Sequence, residues 1–289
     1  MLLSASTLTC PDWPLSTVLE KLKAYGYDAV DFRGLGPQVD LWSLPEFTTG
    51  LADTAGRIAR SGLAVSGLSS SALLFAPPQD RPKHLEELKR YAQIARALGA
   101  PMVRVFGGKT GQTPLAQAVD VVVQAYRQFA ALAGEDIIVA METHDEWVDT
   151  RYMREVFEQL ADLPNVGVIW DLHHPFRQGG ESPKVTYDNI GRWVVGVHVK
   201  DSLPLPDGKY QHALGGQGDV PLAQMIRMLA QGGYNGYLTL EWEKRWIPTL
   251  AEPDVVLPQY AQFMRELTTT KSTKNTKDQE RPFKKPSSL

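Results

Sequence analysis

The chain has 289 residues, 43% of them apolar and 22% charged, with a formal net charge of -3. That length supports one large packed core, and the mild acidity excludes a global electrostatic pull toward nucleic acid or an anionic membrane. One cysteine, Cys10, excludes an intrachain disulfide and fits a reducing compartment.

The opening stretch MLLSASTLTCPDWPL has neither the basic flank nor the apolar run of a secretory signal. No run approaches the ~18 apolar residues of a membrane span. A soluble, cytoplasmic protein is therefore expected. Short apolar segments then alternate with longer stretches of helical period. The predicted strands are Leu2–Leu8, Ala29–Phe32, Ala64–Ser69, Met102–Phe106, Ile137–Glu142, Val166–Asp171, Val194–Lys200 and Tyr237–Glu241. The predicted helices are Leu15–Ala24, Leu51–Ser61, Pro82–Leu98, Thr113–Ala133, Thr150–Leu160, Pro221–Gln231 and Pro253–Leu267, with the weakest helical signal around Tyr187–Arg192.

Strands such as IIVAME and VVGVHV are near-continuously apolar, as strands buried on both faces must be. Glycines fall where helices should stop: Gly26, Gly62, Gly99, Gly134 and Gly232–Gly233. Eight strand–helix units predict a closed (β/α)8 TIM barrel over residues 1–267. A doubly wound open sheet would want a Gly-rich turn after an early strand, but the first strand runs into TCPDWPL. Residues 268–289 are rich in Thr, Lys, Ser and Pro, with six cationic residues against two acids. They read as a disordered basic tail that could bury too little apolar area to offset its ordering entropy.

Parallel barrels carry their active sites at the C-terminal ends of the strands. There the sequence reads Met-Glu142-Thr-His144, Trp-Asp171-Leu-His173-His174, His198-Val-Lys200-Asp201 and Glu241-Trp242-Glu243. Carboxylates at the ends of four successive apolar strands are costly to bury without a partner. A divalent cation supplies one. Three carboxylates and one imidazole suit Mn2+ best, with Mg2+, Co2+ or Zn2+ as alternatives.

The segments LEKLKAYGYDAVDFRG, AMETHDE, WDLHH, GVHVKDS, LGGQGDVPL and GYLTLEWEKRW, in this order over about residues 1–267, resemble the sugar isomerase/epimerase family with the xylose isomerase-like TIM barrel. The resemblance implies one metal ion held by Glu142, Asp171, His198 and Glu241, with Glu142 and Glu241 also moving protons. It implies that His174 touches substrate. Family members are often dimers or tetramers, so a homo-oligomer fits the resemblance.

His144 suits either a catalytic base or support for a ligand. Lys200, Arg104 and Trp170 are candidate substrate contacts, and Trp242 offers a further apolar face. Lys200 and Asp201 could instead pair with each other, and Glu243, Lys244 and Arg245 read best as a structural ion network. Arg33 and Arg104 could face an anionic or polyol substrate or pair with nearby acids. The Gly215–Asp219 run, GGQGD, lacks the following Lys-Ser/Thr of a phosphate loop, which favours an unphosphorylated substrate.

The expected reaction is isomerisation or epimerisation of a ketose or keto-sugar through an enediolate. The nearest rival is a lyase of the same barrel group: a keto-inositol or dehydroshikimate dehydratase, or the large subunit of an enzyme cleaving C-glycosides of 3-keto-sugars. An abasic-site endonuclease would need more histidines and a basic face. A non-catalytic sugar-binding barrel would need an incomplete metal mouth.

Overall fold

The computed structural model describes residues 1–269; the first two residues of the predicted tail, Thr268 and Thr269, continue the last helix, and the rest of that tail lies outside the described residues. Eight parallel strands close into a barrel: β1 (Leu2–Ser6), β2 (Ala29–Phe32), β3 (Ala64–Leu73), β4 (Met102–Phe106), β5 (Ile138–Glu142), β6 (Val166–Asp171), β7 (Val194–Val199) and β10 (Tyr237–Leu240). β1 and β10 close it, with Leu3 beside Leu238 and Ala5 beside Leu240. A shell of helices surrounds it: α1 (Leu15–Ala24), α2 (Leu51–Ser61), α3 (Arg81–Leu98), α4 (Leu115–Ala133), α5 (Thr150–Glu158), α7 (Pro183–Ile190), α8 (Leu222–Gln231) and α9 (Pro253–Thr269). Among the described residues no helix is long and apolar enough to cross a membrane.

Helix ends follow the predicted glycines most clearly at Gly62 and Gly99, which adopt left-handed φ values of 70° and 69° and cap α2 and α3. The weakly signalled sixth helix lies a few residues upstream of its expected position. Ser182 caps α7 by accepting from the Val185 N–H, and Pro183 supplies a preset first turn.

Two elements depart from the sequence reading. A short helix, α6 (His174–Arg177), starts right after β6. After β7 the chain makes an antiparallel hairpin of β8 (Asp201–Pro204) and β9 (Tyr210–Ala213), turning at Gly208 with φ 80°. The Asp207–Gly208 pair carries the hairpin signal, but Pro204 and Pro206 break the strand pattern around it.

Strand side chains alternate between barrel interior and helix layer. Met102, Ala140 and Ile169 form an apolar plug inside the barrel. Gly196 leaves the plug room: a Cβ there would sit 3.1 Å from Ile169 and 3.2 Å from Met102. Two residues further along the same strands come Arg104, Glu142, Asp171 and His198, one layer above the plug at the C-terminal mouth.

Candidate metal centre

That alternation decides which predicted residues reach the mouth. Glu142 ends β5, Asp171 ends β6, His198 lies near the end of β7 and Glu241 follows β10. One ligand atom from each lies within 4.8 Å of all the others, and all four residues are buried. His198 Nδ1 bridges the two glutamates, 3.0 Å from Glu142 Oε1 and 3.2 Å from Glu241 Oε1. Asp171 Oδ1 accepts from the backbone N–H groups of His173 (2.8 Å) and His174 (3.2 Å), which fixes its carboxylate. Asp171 Oδ2 accepts no hydrogen bond, although the Lys200 ammonium lies 2.8 Å away. Three buried carboxylates and an imidazole converging at this distance are hard and borderline donors that fit a divalent cation.

Two cations balance the acids. Arg104 Nη1 donates to Glu142 Oε2 at 2.6 Å, with both side chains buried. Lys200 Nζ, wholly buried, lies 2.8 Å from Asp171, 2.6 Å from Glu241 and 2.8 Å from Glu243. Burial and Glu241 push the Glu142 carboxyl upward, but Arg104 and His198 outweigh them and hold it well below the usual range. Glu241 is likewise held well below, with Lys200 and His198 overcoming burial. Burial alone would lower the Lys200 ammonium, yet its three carboxylates hold it well above the ordinary lysine range.

A cavity of about 240 Å3 opens over these groups, lined by Glu142 and Glu241 and walled by Arg33, Arg104, Phe106, His144, His174 and Trp246. His174 Nδ1 lies 2.9 Å from the Thr143 carbonyl oxygen. A carbonyl only accepts, so Nδ1 carries the hydrogen and Nε2 keeps its lone pair. Burial pushes the His174 pKa down, which keeps the ring neutral. His144 stands across from it at 4.9 Å between ring centroids, with Nδ1 3.0 Å from Asp145 Oδ2. Asp145 is the one non-glycine residue with positive φ (51°) among the described residues, and that turn sets its carboxylate beside His144. Burial works against protonating His144, but Asp145 and Glu142 raise its pKa above the usual imidazole value.

Three expectations change. Trp170 and Trp242 alternate with the ligands on their chains and face the helix layer. Trp170 packs on Tyr187 of α7 and Trp242 on Tyr260 of α9, so neither meets the cavity. Lys200 lies below the cavity lining, where it acts as a counter-charge to three carboxylates and not as a substrate contact. Nor does it pair with Asp201, which is spent on backbone: Oδ2 accepts from Gly216 and Gly218, and Oδ1 from Ser202 and Val220. The GGQGD loop thus has its N–H groups filled from within.

Lys244 and Arg245 are structural, as expected. Lys244 reaches Glu252 and the carbonyls of Pro248 and Leu250, and Arg245 reaches Gly36. Glu243 joins the ion network through Lys200, as expected, and also lines the cavity, as does Trp246. Trp246 was beyond sequence reasoning, because it lies on an irregular loop with no period to orient it.

A closed parallel barrel with three carboxylates and an imidazole converging at its C-terminal mouth defines a candidate single-metal barrel enzyme. Residues 19–267 match the family model of the xylose isomerase-like TIM barrel, and the chain belongs to that family. A search of curated proteins finds no match. Among solved structures, the chain is similar to an IOLI protein with a bound zinc atom: 17% identity over 93% of this chain and 97% of that one, TM-score 0.73. It is similar to the probable 3-DHS dehydratase of Bacillus anthracis at 16% identity, over 92% of this chain and 99% of that one, TM-score 0.73. It is similar to the 3-keto-D-glucoside 4-epimerase of E. coli at 17% identity, over 93% and 99% of the two chains, TM-score 0.70. At these identities the likenesses establish the fold.

Proposed function

We propose that this protein is a divalent-metal-dependent isomerase or epimerase of a ketose or related keto-sugar, acting by proton transfer beside a carbonyl. The observation that carries the proposal is the convergence of Glu142, Asp171, His198 and Glu241 beneath a cavity that both glutamates line. These four would hold the ion, and we propose Mn2+. When bound there, a divalent ion supplies Lewis-acid stabilisation of negative charge on a carbonyl and a neighbouring hydroxyl oxygen.

The chain's own residues do the rest. Glu142 and Glu241 flank His198 from two sides, and both are held ionised by their neighbours. One carboxylate takes the proton from the carbon next to the carbonyl, and an enediolate results. If the other returns a proton to the opposite face of that carbon, the product is an epimer. Return of the proton to the neighbouring carbon exchanges aldose for ketose. His174 Nε2 accepts from a substrate hydroxyl, and Arg104 stays fixed on Glu142 to position it.

The test is incubation of the Mn2+-loaded protein with a panel of ketoses in deuterated water. Deuterium incorporated into a retained carbon skeleton supports the proposal. A new C=C bond or an expelled leaving group would favour the lyase reading instead, in which the His144–Asp145 pair beside the cavity acts as the base.

A further inference from the structure

Arg33 is a cation of the cavity wall with no ion pair among the described residues. It follows β2 and is only 7% exposed. Its Nη2 donates to Ser71 Oγ at 2.9 Å, while Nη1 is buried with no hydrogen-bond partner. Among the described residues no acid lies within ion-pairing distance of it. Nearby Glu87 is committed elsewhere, accepting from the Ser71 N–H at 2.6 Å. Arg104 reaches the same cavity, fixed by Glu142 and the Ser70 carbonyl, with its Nε also unpartnered. The two guanidiniums feel each other's charge: burial first, then Arg104, lower the Arg33 pKa to about 10. Glu87 and Asp40 offset part of this from a distance, but a buried cation with no direct ion pair, next to a second cation, is costly to a fold unless something arrives to pair with it.

We infer that the substrate carries a carboxylate, seated in the cavity wall on Arg33 and Arg104. This deepens the proposed function, on which it rests, and narrows the substrate class to sugar acids. A planar carboxylate matches a guanidinium fork through two parallel N–H···O bonds. A phosphate would meet the same two guanidiniums but none of the further donors that phosphate sites add: Lys200 is consumed by Asp171, Glu241 and Glu243, and the N–H groups of Gly216 and Gly218 are filled by Asp201.

The experiment titrates three matched probes into the Mn2+-loaded protein by calorimetry: D-fructose, its carboxylate counterpart D-fructuronate, and D-fructose 6-phosphate. Charge-assisted pairing predicts that the carboxylate binds about tenfold to a hundredfold more tightly than the neutral sugar. Arg33→Gln should abolish that preference, and Arg33→Lys should restore part of it. Arg33→Gln should also raise the melting temperature of the ligand-free protein, because an unanswered buried charge is gone. A merely structural arginine would lower it. Equal binding of the neutral and carboxylate probes, tighter binding of the phosphate, or a preference that survives Arg33→Gln would each overturn the inference. Mn2+ uptake and deuterium exchange are read separately on the same samples. Loss of those signals with the carboxylate preference intact would indict the proposed reaction and spare the anion site.

Discussion

Replacing Lys200 with methionine tests the electrostatic design of the mouth. The ammonium lies 2.8, 2.6 and 2.8 Å from carboxylates of Asp171, Glu241 and Glu243, and is wholly buried with Asp171. Methionine preserves most of the stem's packing and removes the charge. Removing one member of a buried ion cluster costs about 3–5 kcal/mol, because the remaining charges lose their partner. At about 2–4 °C per kcal/mol for a chain of this size, metal-free Lys200→Met should melt roughly 6–20 °C below the metal-free wild type. Adding Mn2+ should recover much of that loss, since the ion takes over the charge of Asp171 and Glu241. By linkage, the variant then binds Mn2+ more tightly than the wild type, by about tenfold or more. Differential scanning fluorimetry across a Mn2+ series reads both quantities. A metal-free variant that melts with the wild type, or an equal Mn2+-induced shift in the two proteins, would refute the counter-charge role.

Asp31 predicts a pH dependence of stability. It is buried in the barrel, accepts from Ser69 Oγ at 2.9 Å, and its pKa is raised to about 6, chiefly by burial. Between about pH 4 and 6 the unfolded chain has released this proton while the fold keeps it, so stability falls as pH rises through that window. Asp31→Asn should remove that slope and gain up to about 3 kcal/mol over the wild type above pH 6, read from melting temperature against pH. Replacing His174 by alanine deletes the hydroxyl acceptor while leaving Glu142, Asp171, His198 and Glu241 in place. Deuterium exchange into a ketose should fall about tenfold to a hundredfold while Mn2+ affinity stays within about twofold. A loss of metal binding would instead make the His174 ring a support for Asp171, whose Oδ2 lies 3.6 Å from its Nδ1.

The barrel was readable because its determinants are local. Doubly buried strands such as Val139–Met141 and Val168–Trp170 need continuous apolar runs, and Gly62 and Gly99 announce where helices stop. The four candidate donors were readable because they lie at or just past the ends of consecutive strands. Direction across a strand was the part most easily lost. Trp170 adjoins Asp171 in sequence but points to the opposite layer, as strict alternation demands. Partners were harder still: nothing near Lys200 in sequence shows that acids from β6 and from the segment after β10 surround it. The same holds for Asp201, whose ligands are backbone N–H groups some fifteen to nineteen residues away. Arg33 was ambiguous for the same reason, since a missing partner leaves no mark on a sequence.

Everything proposed for the reaction requires one cation held jointly by Glu142, Asp171, His198 and Glu241. The most direct measurement is the Mn2+ content of the purified chain after loading at micromolar metal and gel filtration, by plasma mass spectrometry, for the wild type and for Asp171→Ala and Glu241→Ala. The account predicts about one ion per wild-type chain and almost none in either variant, each still giving the circular dichroism of a folded barrel. A folded wild type that retains no metal, or variants that retain as much as the wild type, would contradict it.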